Sequence, residues 1–135
     1  MHKANTLIAL AVASLLLGGP AAAESLKGEV LGGGAPIADS TVTLWAAGEG
    51  APKELGRART DAEGRFDLGV HRTDGGDVSL YLVAQGGRAT ASKTSGDNPA
   101  IALMTVLGAQ PLAKVVINEM TTIASVWTHN QFVEG

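Results

Sequence analysis

The chain has 135 residues, with 10 Lys+Arg against 13 Asp+Glu, 18 Gly, 5 Pro and no Cys. The absence of Cys excludes a disulfide framework, Cys-ligated zinc, iron–sulfur clusters, thiol catalysis and a lipidated N-terminal Cys. The length excludes an enzyme with separate cofactor and substrate lobes, and the mild acidic balance leaves no basic excess for phosphates, so no nucleic-acid partner is expected.

The first 23 residues read as an export signal. Lys3 supplies a short basic start, Leu7 to Leu17 is apolar, Gly18–Gly19–Pro20 breaks a helix, and Ala21–Ala22–Ala23 offers the small residues a signal peptidase requires. The apolar run is 11 residues, against the roughly 20 needed to cross a bilayer. Cleavage after Ala23 is expected, with Glu24 as the mature N-terminus and no membrane span left. The mature chain would keep 9 Lys+Arg against 13 Asp+Glu, a net charge of −4. A secreted or periplasmic location follows, where free nucleotides are scarce.

From Ser25 to about Leu107 short β-rich runs alternate with Gly/Asp clusters. Leu26–Leu31 is the first, stopped by Gly32–Gly33–Gly34 and Pro36. Thr41–Trp45 alternates with period two, placing Val42 and Leu44 on one face and Thr43 and Trp45 on the other. Leu55–Thr60 and Arg65–Leu68 flank Asp61–Ala62–Glu63–Gly64 and are expected to form a hairpin. Val78–Ala84 is the strongest strand, Gly86–Gly87 turns it into Arg88–Ser92, and Ile101–Leu107 and Ala113–Asn118 are the last two. With 4% aromatic residues, the core must be mainly aliphatic.

The tail changes period. Met120, Ile123, Ala124 and Trp127 share one helical face, with Thr121 or Thr122 as candidate cap and an end near Phe132. A 12-residue helix is marginal alone and must dock on something. Val126 and Phe132 lie off the main face, either covering a sheet edge or waiting for a partner.

The runs Lys27-Gly-Glu-Val, Gly34-Ala-Pro-Ile-Ala-Asp-Ser-Thr-Val-Thr-Leu and Thr60-Asp-Ala-Glu-Gly-Arg-Phe resemble the carboxypeptidase regulatory-like domain, of the transthyretin-like group and close to Cna B-type repeats. The likeness covers about Ser25–Gly87. It implies an all-β fold, a seven-stranded Greek-key antiparallel β-sandwich (prealbumin-like), over residues 24–118. Gly34 and Pro36 would make its first turn, Gly64 its hairpin, and Phe66 would plug one end of the core. Where that family often carries an aromatic after the second Gly, Arg88 stands here. The tail Val116-Ile-Asn-Glu-Met-Thr-Thr-Ile-Ala-Ser-Val-Trp resembles a segment of secreted bacterial proteins of poorly known function whose chains often run further. Residues 119–135 are therefore expected as a C-terminal helix, possible start of a truncated region.

No catalytic constellation emerges from the sequence, and no cofactor is expected. Residues 24–135 contain His71 and His129 only, too few for a three-His zinc site. His71 with Asp67, Asp74 and Asp77 reads better as a solvated acidic loop than as a metal site. Ser125 and His129 lack a third triad member, and Gly32–Gly34 lacks the Lys-Ser/Thr of a phosphate loop. The Cna B likeness raises two further ideas: weak calcium at Asp61 and Glu63, better explained as turn chemistry, and a Lys27–Asn118 crosslink promoted by Glu29 or Asp67, less natural than a solvated Lys27. Asn118–Thr122 reads as a strand-to-helix junction rather than a recognition edge.

The expected function is that of a non-enzymatic exported accessory module binding an extracytoplasmic glycan or protein through loops or a sheet edge, with Trp45 and Trp127 as candidate contacts. Two competing readings remain. One is a structural fragment of a larger secreted protein, whose helix docks on a missing domain. The other is a transthyretin-like hydrolase, poorly matched because the chain ends Phe132–Val133–Glu134–Gly135 rather than in that group's Tyr-Arg-Gly-Ser-type terminus.

Overall fold

A computed structural model describes residues 24–71, 77–109 and 114–130, with side chains to residue 127. The export signal lies outside the described residues. Among the described residues no helix is long and apolar enough to cross a membrane.

These residues form nine strands and one helix: β1 Ser25–Gly32, β2 Ala35–Ala38, β3 Thr41–Ala47, β4 Lys53–Arg59, β5 Arg65–Gly69, β6 Ser79–Gln85, β7 Arg88–Ala89, β8 Ala102–Gly108, β9 Lys114–Ile117 and α1 Glu119–Asn130. One sheet runs β5–β1–β2–β7 with β9 also on β1, and the other runs β4–β3–β6–β8. The chain is thus mostly β, in two sheets, with a short helix at its end.

Period-two alternation sets what each strand buries. Phe66 and Leu68 of β5 turn inward while Arg65 and Asp67 face out. Leu80, Leu82 and Ala84 of β6 do the same. Leu26, Val30, Phe66, Leu68, Val115 and Ile117 from the first sheet meet Val42, Leu44, Leu80 and Leu82 from the second. Each fully buried aliphatic side chain contributes about 1.5–3 kcal/mol. Phe66 is the one aromatic ring in this core, in keeping with the low aromatic content.

Several expectations need correction. The sequence runs give eight strands and the resemblance implies seven, whereas the described residues form nine, the additional run being Ala35–Ala38, read with the first turn and found as a strand. The reversal is the two-residue Gly33–Gly34 loop, whose φ values of 59° and 79° only Gly adopts readily, so Pro36 stands in β2 opposite Leu31.

The β4–β5 hairpin does not form. β4 pairs with β3 and β5 with β1, in opposite sheets. The Asp61–Gly64 turn is real: Asp61 accepts the N–H of Gly64 on its carbonyl and those of Glu63 and Arg65 on its carboxylate. It reverses the chain without choosing its partner: β4 stays on β3 and β5 crosses to β1. Likewise Gly86–Gly87 leads into β7, which pairs with β2 rather than β6.

Finally, the sheets are not wholly antiparallel. β9 runs parallel to β1, with Lys27 beside Lys114 and Val30 beside Ile117. Phe66 lies against Gly28 at the centre of this arrangement, 2.6 Å from where a Cβ would stand.

α1 is capped by Asn118 rather than by Thr121 or Thr122. The Asn118 side-chain oxygen accepts the Thr121 N–H at 2.9 Å, and Thr121 Oγ1 accepts the Asn118 N–H at 2.9 Å, a reciprocal box. Glu119, in the first turn, reaches the β1–β2 loop and accepts the Gly33 N–H at 2.6 Å. The end expected near Phe132 lies outside the described residues.

Candidate functional site

The outer face of the four-stranded sheet sets Trp45 of β3 beside Tyr81 of β6. Inward Val42, Leu44, Leu80 and Leu82 leave their alternates facing out. Register then assembles them into cross-strand rows: Glu54–Trp45–Tyr81–Val106, and beside it Arg57–Thr43–Val83–Met104. Trp45 and Tyr81 are directly opposite, each half-buried, with Cβ atoms about 4.5–5.5 Å apart by sheet geometry.

This row is framed by irregularities on both sides. The β3–β4 register shifts between Leu44 and Trp45, and the β6–β8 register shifts between Leu80 and Tyr81. In each case a leucine is the extra residue, Leu55 on β4 and Leu107 on β8. Leu55 is buried and Leu107 packs partly against the core. Bulges increase local twist and re-aim side chains. Here they turn two leucines inward while the aromatic row stays outside.

Polar groups border the rings. Glu54, next to Trp45, accepts from Arg57 at 2.8 Å. The Tyr81 hydroxyl and the indole N–H add hydrogen-bonding groups of their own to the two rings.

The two candidate tryptophans are not brought together. Trp45 sits in β3, Trp127 on α1, and β6 and β8 lie between them. Trp127 is 72% exposed, whereas Trp45 is half-buried rather than freely projecting. Tyr81, which the sequence reading did not single out, completes the pair; its place inside the strongest strand opposite Thr41–Trp45 was the available signal.

Other sequence candidates resolve into structural roles. Asp61, held by backbone N–H groups of Arg65 and Glu63 and by the Arg65 guanidinium, has its carboxyl below the usual range, chiefly through the Arg65 N–H. Glu63 pairs with the same guanidinium at 3.2 Å, so the two acids are committed to the turn. Among the described residues no His, Asp and Glu group has metal-binding geometry. His71 is exposed, and its backbone N–H bonds the Leu55 carbonyl; Asp74 and the His129 side chain lie outside the described residues. Ser125 Oγ donates to the Thr121 carbonyl at 2.6 Å and accepts the Val106 N–H at 3.1 Å.

Lys27 and Asn118 are not juxtaposed for a crosslink. Lys27 lies beside Lys114, four residues before Asn118, or about 13 Å along a strand. Its ammonium pairs with exposed Asp67 at 3.3 Å, and the Asn118 side chain is engaged in the helix cap. A cleft of about 710 Å³ near this point is lined by Lys27, Glu29, Arg65, Phe66, Asp67 and Lys114 among others. Its charges are mixed, and several already pair.

No family model matches the chain, and no curated protein matches it. Among solved structures, it is similar to the crystal structure of a 9R-lipoxygenase from Cyanothece PCC8801, at 17% identity and a TM-score of 0.42, over 72% of this chain and 16% of that one. The chain thus spans about a sixth of that protein's length.

Proposed function

We propose that the protein is an exported, non-enzymatic accessory module of the bacterial cell exterior that binds a glycan on the outer face of its four-stranded sheet. The observation that carries this reading is the Trp45–Tyr81 pair, framed by two bulges and bordered by Glu54 and Arg57. A sugar ring offers one face of C–H bonds and a rim of hydroxyls, so it suits flat aromatic surface with charged hydrogen-bonding groups at the border. The leader-like first 23 residues support export. The carboxypeptidase regulatory-like likeness of Ser25–Gly87 supports an accessory role and a prealbumin-like Greek-key arrangement, although function rests on the site and not on the fold.

Purified protein on a glycan array, followed by titration of the best ligand, tests the reading. Saturable binding is expected, and Trp45→Ala or Tyr81→Ala should weaken it tenfold or more, as removal of a central aromatic anchor does. Arg57→Ala should weaken it less. Absence of saturable glycan binding, or binding indifferent to both aromatic substitutions, overturns the proposal.

A further inference from the structure

α1 lies on β8, the last strand of its sheet, by its polar side. Among its described side chains Thr121 and Thr122 are half-buried and Ser125 is buried, whereas Met120, Ile123, Ala124, Val126 and Trp127 are all exposed. The grip on the strand is made by hydroxyls. Thr122 Oγ1 donates to the Asn118 carbonyl at 2.7 Å and accepts the Met104 N–H at 3.0 Å. Ser125 Oγ donates to the Thr121 carbonyl at 2.6 Å and accepts the Val106 N–H at 3.1 Å. Each spends its proton on its own helix and offers a lone pair to the strand. Thr121 Oγ1 donates to the Met104 carbonyl at 2.9 Å. These groups stand where a further strand would stand.

Packing of an apolar face is the usual source of helix stability in a protein, and α1 does not bury its own. What holds it is hydrogen bonding, whose net strength is modest because water replaces each partner once the contact opens. The residues just before it are held differently: Val115 and Ile117 of β9 are buried in the core.

We propose that α1 is a strap that lifts from β8 as one unit while both sheets stay folded, so that the β8 edge alternates between covered and open. The pivot is the Ile117–Asn118 link, since Ile117 is fixed in the core and Asn118 travels with the helix through its reciprocal bonds to Thr121. The grips are linked, because the hydroxyls that hold β8 are bonded to carbonyls of α1 and its cap. A further anchor lies away from β8, where the Glu119 carboxylate accepts the Gly33 N–H. Lifting trades these bonds for water and costs little apolar burial, the condition for local opening well below global unfolding. The open form presents the Met104 and Val106 N–H groups as an unpaired edge, which invites strand addition; the strap holds that edge shut.

Native-state hydrogen exchange read by NMR tests this. The Met104 and Val106 amides should be protected at least a hundredfold less than those of Leu44 and Leu82 in the interior strands, and with a much smaller urea dependence, the mark of an opening that exposes little surface. Ser125→Ala removes the acceptor of Val106 alone, yet it should speed exchange at Met104 at least fivefold. Glu119→Ala, at an exposed position that touches neither amide, should speed both at least threefold. Equal protection and equal urea dependence at edge and interior amides, acceleration confined to Val106 in Ser125→Ala, or Met104 exchange indifferent to Glu119→Ala each overturns the strap.

Discussion

Thr60 is the side chain whose loss should reveal most about how the fold is fastened. It is 4% exposed, and its hydroxyl accepts the Ser40 N–H and donates to the Ile37 carbonyl, both at 2.8 Å. Its backbone bonds the same corner, with Thr60 N–H to the Ser40 carbonyl and Asp39 N–H to the Thr60 carbonyl. Asp39 is left-handed at φ 59°, so this corner is one the chain would not adopt unaided. Thr60→Val keeps shape and volume but strands a buried donor and a buried acceptor, each costing about 1–3 kcal/mol. The sum, about 2–6 kcal/mol, compares with roughly 5–15 kcal/mol for a whole domain of this size. Thr60→Ser keeps both hydrogen bonds and loses one methyl, about 1 kcal/mol. Urea unfolding should therefore separate the variants by at least about 1 kcal/mol with equal slopes. Thermal melting should place Val roughly 10 °C or more below wild type, at about 4–8 °C per kcal/mol. If Val and Ser unfold within about 0.5 kcal/mol of each other, the hydroxyl does not hold the corner and the reasoning fails.

Two other outcomes follow from the structure. Gly28→Ala should destabilise by about 3 kcal/mol or more, at or above the top of the usual overpacking range, because its Cβ would meet the Val115 carbonyl oxygen, which is backbone, as well as the Phe66 ring. A neutral result in urea unfolding would mean that β9 does not run beside β1 there. Glu119 has its carboxyl held below the ordinary range, first by the Gly33 N–H. A depressed folded value means that its contribution is present at neutral pH and is lost as pH falls through that value. The Gly33 amide proton in NMR should titrate with a midpoint below the usual glutamate range and stop titrating in Glu119→Gln; an ordinary midpoint refutes the latch.

Much of the strand content was legible because alternation is a local property. Val42/Leu44 and Leu80/Leu82/Ala84 are on the core side, as period two requires. What the sequence could not display is which backbone edge each strand meets. Asp61 and Gly64 signal a reversal equally well within one sheet or between two, and the parallel β1–β9 pairing leaves no mark at a separation of nearly ninety residues. The helix shows the same limit from another side. Its hydrophobic face was legible as a face, but not that the polar side would be the one laid on the sheet: β8 presents N–H and C=O groups at Met104 and Val106, and hydroxyls satisfy those whereas Met120 or Trp127 cannot. Tyr81 stayed hidden because what sets it beside Trp45 is the pairing of β3 with β6, strands more than thirty residues apart in the chain, which no local pattern displays.

Those edges also bear on how the proposed glycan would reach the molecule. A sheet edge was an expected route, since free backbone groups invite strand addition. In the four-stranded sheet, however, the β8 edge has its N–H groups at Met104 and Val106 taken by Thr122 and Ser125. The opposite edge, β4, carries Lys53, Glu54, Arg57 and Arg59 within seven residues, the charged pattern that discourages pairing. With both edges guarded, the broad surface left to this sheet is its face. That face is where Trp45 and Tyr81 stand, so recognition by side chains across the rows, rather than by backbone along an edge, is the mode the architecture favours.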